Sequence, residues 1–323
     1  MLVEEMKGAR KVIETCAKVQ PGEEVLVITD WPTFSVAERV AAAAGQAGAE
    51  VVMTVMTARE HDGNEPPASV ARAMSDVDVM IIPVQRSISH SKATEDALNN
   101  DVRRISMVGF TPEQLYTGGI NCDFEAAAPL CEAMAERLTE ADEARVTCPN
   151  GSDATFDLSG RSGLAQTGLA DEPGKADSIV HVEANISPVD GAVSGRLVFD
   201  GSVPNLDIGV LENDIVIEVE DGTVTSIDGG WEADRIRETW ERYDVPAVYN
   251  IAQLAVGMNP ECEDFNGWFT NEHGVYGSLH VGIGTSTILG GVTRAPVHFD
   301  AMMREPTLAL DGDVVLEDRE FHL

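Results

Sequence analysis

His298 and Asp300 stand two residues apart in the run PVHFD, and His280 lies upstream in the alternating run GSLHVGIG. In an extended strand residues i and i+2 share a face, so the imidazole of His298 and the carboxylate of Asp300 project together while Phe299 turns away. Adding His280 makes a set of two imidazoles and one carboxylate. Such a set suits a divalent first-row ion with positions left open for substrate, iron(II) or zinc being the usual occupants. The competing reading is structural, because a histidine on an apolar strand can also sit in the core bonded to a backbone carbonyl. The intervening segment favours a ligand. Gly282, Gly284, Gly290 and Gly291, with Thr285, Ser286 and Thr287, let another group approach the backbone closely.

Further polar groups stand at positions where chemistry could use them. His90 falls in the phrase QRSISHSKATEDA directly after the apolar run VDVMIIPV, hence near a strand end, where ligands of such sheets gather. The plainer account is that Ser89 or Ser91 caps the following helix and His90 is solvated. The stretch VEANISPVDG carries Glu183, Asn185, Ser187 and Asp190 ahead of a Gly-rich turn, as pocket groups or as turn chemistry. Glu272 and His273 precede His280 in NEHGVYGSLH, either as groups that orient the metal ligands or as loop residues. No Gly-rich phosphate fingerprint follows a strand, which argues against nucleotide binding. The five cysteines are scattered and never in a C-x-x-C pair, so neither a zinc knuckle nor a disulfide framework is expected.

These residues need a frame. Residues 1–20 carry apolar side chains at helical spacing up to Pro21-Gly22. The runs EEVLVITD, EVVMTVMT, VDVMIIPV and RRISMVG then alternate with helical segments in a βαβ rhythm. An Ala- and Glu-rich helix over about 123–144 follows, and beyond it alternating runs are broken by Asn-Gly, Asp-Gly and Gly-Gly turns, the mark of antiparallel structure. The pattern predicts an α/β protein: an N-terminal parallel-sheet α/β domain over 1–144 and a C-terminal, mostly antiparallel β (α+β) domain over 145–323, with a site between them.

Of the 323 residues, 43% are apolar, enough for real cores, while 55 acidic against 22 basic residues leave a formal net charge of -33. A surface of that sign repels nucleic acid and anionic membranes, so neither is an expected partner. It suits a high-salt cytoplasm, where repulsion is screened within about 3 Å at 1 M. Carboxylate clusters that buffer cations are the competing idea, but no EF-hand spacing is present. MLVEEMKGAR shows no signal-peptide pattern, and no apolar run approaches the ~20 residues that span a bilayer, so a soluble cytoplasmic protein is expected.

The ordered phrases ANISPVDG, GRLVFDGS, AQLAVGMNP, NEHGVYGSLHVGIG, VHFD and LDGDVVLEDREF resemble the aminopeptidase T family of metallopeptidases and its relatives, the 2,5-dihydroxypyridine dioxygenases of nicotinate breakdown. The likeness spans most of the C-terminal half and reaches the N-terminal half through SISHS. The peptidases hold two metal ions, which requires glutamates as well as histidines and aspartate. Here Gln253 stands at one glutamate position, and Val189, Asp190 or Gly191 at the other, which removes charge that a second cation needs. The dioxygenases use one non-haem iron held by two histidines and an aspartate, with a histidine of the N-terminal domain as base. By this resemblance His298 and Asp300 match the His-x-Asp pair and His90 the base. His280 is the third ligand, with Gln253 or Asn250 as alternatives.

The resemblance thus implies an iron(II) enzyme that opens the ring of a small hydroxylated heteroaromatic substrate. His90 would be the base, Glu183 and Glu272 would orient the ligands, and the chain would form a homo-oligomer, a dimer or larger. The alternatives it leaves are a zinc or cobalt metallo-aminopeptidase with Glu272 as base, and a non-catalytic metal-binding relative.

Overall fold

The computed structural model describes residues 2–323 and forms two compact units. The first takes the chain up to Ala127 together with Gln166–His181. Its sheet is parallel throughout, in the spatial order Glu50–Met56, Glu24–Asp30, Val79–Ile82, Arg103–Ser106, Ala176–Ser178. The central strand Val79–Ile82 is buried at every position, as an apolar run covered on both faces must be. Helix Phe34–Gln46 turns Val36, Ala37, Val40, Ala43 and Ala44 inward at three-and-four spacing. The helix expected over the first twenty residues occupies Leu2–Arg10 and continues as a wider π-turn over Lys11–Cys16.

Where the sequence suggests one division after residue 144, the chain instead returns. Gln166–His181 rejoins the first unit and supplies its edge strand Ala176–Ser178. That strand reads ADS, with no apolar run to announce it.

The second unit holds Ala128–Ala165 and Val182–Leu323. One of its sheets is an eight-stranded antiparallel layer running from Thr223–Asp228 at one edge to Glu320–Phe321 at the other. Asp221-Gly222 and Asp311-Gly312 join neighbouring strands of this sheet in two residues, all four with positive φ. This is the hairpin turn that Asp-Gly pairs favour, because its twist matches that of the strands. A five-stranded sheet sets Glu183–Ile186, Ile251–Gly257, Leu279–Gly284 and His298–Met303 side by side, antiparallel at each of these junctions, with Leu164–Gln166 at its edge. Ile251–Gly257 and Leu279–Gly284 are buried along their whole length. Among the described residues no helix is long and apolar enough to cross a membrane.

Candidate metal centre

Register decides which side chains of the second sheet can meet. Residues directly opposite one another in antiparallel strands project to the same face. One row across this sheet is Asn185, Ala255, His280, Met302, and the next is Gln253, Gly282, Asp300. Gly284 pairs with His298 one step further on. A single face therefore carries His280, His298 and Asp300. Gly282 gives His298 its room: a Cβ there would stand 2.8 Å from Cβ of Gln253 and 2.8 Å from Cε1 of His298.

A third imidazole reaches the same place from another element. His273 lies on the short helix Phe269–Gly274, with Nδ1 2.8 Å from the carbonyl oxygen of Phe269 and Nε2 3.2 Å from Oδ2 of Asp300. His298 repeats the pattern, with Nδ1 2.8 Å from the carbonyl oxygen of Thr285 and Nε2 3.2 Å from Oδ1 of Asp300. When Nδ1–H donates to a backbone carbonyl, the ring is fixed and the Nε2 lone pair is left for a metal. One ligand atom from each of His273, His280 and Asp300 lies within 4.8 Å of the others, and all three residues are buried. His280 meets His273 edge-on, with ring centroids 5.1 Å apart.

The electrostatics favour a cation at this point. Burial pushes His280 down to about 3, so its ring is neutral, the form that ligates metals. Burial acts in the same direction on His273, but the hydrogen bond and charge of Asp300 outweigh it and raise this group to about 9. His298 is raised by the same carboxylate against its own burial. Asp300 would be raised by burial, yet the charge of His298 and the hydrogen bonds from both histidines hold it well below the usual carboxylate range. Neither ring nitrogen of His280 has a hydrogen-bond partner in the protein, although the residue is 0% exposed. Buried polar atoms are nearly always paired, so a fully enclosed imidazole with both nitrogens unpaired fits a metal ligand better than a core residue. Three imidazoles and one carboxylate form a donor set that divalent first-row ions accept.

The remaining sequence-predicted residues fall into place around this cluster or apart from it. Glu183 brings Oε2 to 3.6 Å from Nε2 of His280, while its Oε1 accepts from Nδ2 of Asn185 at 3.1 Å. Gln253 is buried on the same face. Asn250 donates from Nδ2 to the carbonyl of Gly284 at 3.0 Å, a backbone tie between strands. Ser187 is buried just past the strand Glu183–Ile186.

Asp190 is occupied with a loop. It accepts from Oγ1 of Thr293 at 2.8 Å, from N of Thr293 at 3.2 Å and from Arg161 at 2.6 Å. The carboxylate of Glu272 accepts from the backbone N–H of Gly267, from N of Asn266 at 3.1 Å and from Oγ of Ser202 at 3.2 Å. It therefore anchors the loop ahead of its own helix and is not among the converging atoms. Burial raises it to about 7. In the first unit His90 is exposed, in the turn before helix Lys92–Leu98, whose N-cap is Ser91. The spacing of His273 marks it only as a loop residue or one that supports the ligands, whereas its ring joins the cluster. The available signal is its place seven residues before His280 in the run NEHGVYGSLH.

The family model described as 2,5-dihydroxypyridine 5,6-dioxygenase (NicX) matches residues 5–322. The chain belongs to this family. The 2,5-dihydroxypyridine 5,6-dioxygenase of Pseudomonas putida KT2440 is 28% identical over 188 residues, which are 55% of this chain and 54% of that protein. The sequence match thus spans about half the length of that relative. The solved structure of the 2,5-dihydroxypyridine dioxygenase from the same organism superposes with a TM-score of 0.84 at 21% identity, covering 100% of this chain and 98% of that one. Wild-type AmpT from Thermus thermophilus superposes with a TM-score of 0.74 at 14% identity, covering 99% of each chain. At these identities the two structures establish a shared fold. The NicX family and AmpT are the two groups that the ordered sequence phrases resemble, and the NicX model covers nearly the whole chain.

Proposed function

We propose that this member of the NicX family is a mononuclear iron(II) dioxygenase that opens the ring of a small hydroxylated N-heteroaromatic, 2,5-dihydroxypyridine or a close analogue. The observation that carries the reading is the convergence of buried His273, His280 and Asp300, with half-buried His298 on the other oxygen of Asp300, the one carboxylate among the converging ligand atoms. Iron(II), when bound, supplies a centre at which the substrate oxygen and dioxygen can be held side by side.

The chain's own residues do the rest. Asp300 supplies the negative charge and divides its oxygens between His273 and His298. The carbonyls of Phe269 and Thr285 hold the Nδ1 protons, which would leave Nε2 of each ring to hold the ion. His90 is the proposed acceptor of the substrate hydroxyl proton, a role that typically contributes ~10²–10⁴-fold.

Two-ion peptide hydrolysis, suggested by the AmpT likeness, would need more carboxylate at the centre. Gln253 is an amide, and Asp190 is committed to Thr293 and Arg161. The deciding experiment is metal analysis of protein purified without oxygen or added metal, followed by oxygen uptake with 2,5-dihydroxypyridine. About one iron per chain, lost in His298→Ala, together with substrate-dependent uptake supports the proposal. Two zinc or cobalt ions per chain with release of N-terminal amino acids from peptides would replace it.

A further inference from the structure

We infer that Asn185 determines specificity in this site. Its side-chain carbonyl accepts a hydrogen bond from a ring N–H of the bound molecule, and the ligand class it selects is an N-heteroaromatic in its lactam (N–H) form. The inference rests on the ring-cleavage reading given above.

Asn185 shares the row of His280 across the sheet, with Ala255 between them. Two strand spacings separate the Cα positions of Asn185 and His280, about 10 Å. The floor between them is the methyl group of Ala255, and the neighbouring row has Gly282 opposite Gln253. Only small side chains therefore separate the amide from the imidazole on this face.

The amide's orientation follows from its partner. Nδ2 of Asn185 donates to Oε1 of Glu183 at 3.1 Å, and a carboxylate oxygen accepts only, so nitrogen faces Glu183 and oxygen is the atom presented. That oxygen, Oδ1, is buried and has no hydrogen-bond partner in the protein; Asn185 as a whole is 1% exposed. Oγ of Ser187, two residues further on, is also buried without a partner. Buried polar atoms left unpaired are rare in folded proteins, and Asn185 lies on the strand Glu183–Ile186, with Ser187 just past its end. A presented carbonyl can pair only with a donor. The N–H of a pyridinone supplies one, whereas the C–H at the same position of a benzene ring does not.

A site built around such a hydrogen bond rejects the analogue that lacks the donor by far more than a shape-based pocket does. The test is calorimetric binding, without oxygen, of 2,5-dihydroxypyridine and of hydroquinone to the metal-loaded wild type, Asn185→Leu and Asn185→Ala. Expected for the wild type is a preference for the pyridine of about 10²-fold or more. In the variants that preference should collapse to within about tenfold through lost pyridine affinity, with hydroquinone affinity unchanged and thermal midpoints equal or higher. Should Asn185→Leu fail to fold, Asn185→Ala carries the comparison. An unchanged preference in a folded variant overturns the role of Asn185 while leaving the ring-cleavage reading in place. Failure of the wild type to bind either molecule overturns that reading, and this inference with it.

Discussion

His273, on the helix Phe269–Gly274, places Nε2 3.2 Å from Oδ2 of Asp300, on the strand His298–Met303. The oxygen on the other side of the same carboxylate faces Nε2 of His298 at the same distance, 3.2 Å. Asp300 is therefore the hinge of the centre, and His273 is its equal partner with His298. His273→Ala should lower affinity for a divalent ion as far as His298→Ala does, at least 10–100-fold, since losses of that size already follow from removing groups that only support ligands. Titration of the metal-free proteins with cobalt(II), read by its visible absorption, measures this. Wild-type affinity in His273→Ala would remove His273 from the ligand set.

Metal binding at this centre should release protons. Asp300 raises His273 to about 9 and also raises His298, so near neutral pH His273 carries a proton that an entering ion must displace. The sign follows directly: apparent affinity for the ion increases as pH rises toward about 9 and falls as pH drops. Calorimetry in buffers of different ionisation enthalpy should register net proton release near pH 7. A pH-independent affinity between 6 and 8 would show that neither ring holds a proton in the metal-free protein.

What could be read in advance depended on how local the cause was. The pair His298 and Asp300 was legible because strand geometry alone places i and i+2 on one face. The Asp-Gly hairpins were legible because both central residues need positive φ. His273 was not, because FTNEHG is a six-residue helix with no apolar period, and only the tertiary fold swings it over the strand. Asp190 and Glu272 read as site carboxylates, yet their oxygens are taken up by nearby backbone N–H groups, and no sequence pattern distinguishes the two uses. Ala176–Ser178 is illegible for a similar reason, since the parallel neighbour Arg103–Ser106 dictates its pairing and its own residues do not.

Asp177, in that edge strand, gives the first unit its own pH signature. Burial raises its carboxyl to about 7, although the backbone N–H groups of Ser178 and Thr167 pull the other way at 2.7 and 2.9 Å. The folded group holds its proton more tightly than the unfolded one. Its contribution to stability is thus complete below about pH 4 and is lost as pH rises to about 7, with a slope of at most about 1.4 kcal/mol per pH unit. Asp177→Asn should flatten the stability curve over that window in urea melts. An unchanged slope would mean that Asp177 is ionised in the folded protein across the window.

Asp190 should act on the centre at one remove. Its carboxylate holds Thr293, and N of Ser286 donates to the carbonyl of Thr293 at 2.9 Å, which closes the loop Ser286–Thr293 next to Thr285. Arg161 completes the latch by donating to Gly290 at 2.7 Å and to Asp190 at 2.6 Å. The carbonyl of Thr285 is the group that fixes Nδ1 of His298. Removing the latch with Asp190→Ala leaves every metal ligand in place but frees the loop that orients one of them, so ion affinity should fall by about 10-fold or more. The same variant should be cut within Ser286–Thr293 by limited proteolysis faster than the wild type, because the loop then opens at lower cost. Asp190→Asn keeps an acceptor for Thr293 and should recover most of the affinity. Loss of affinity in both variants with unchanged proteolysis would point to a direct contact between Asp190 and the ion, in place of a latch.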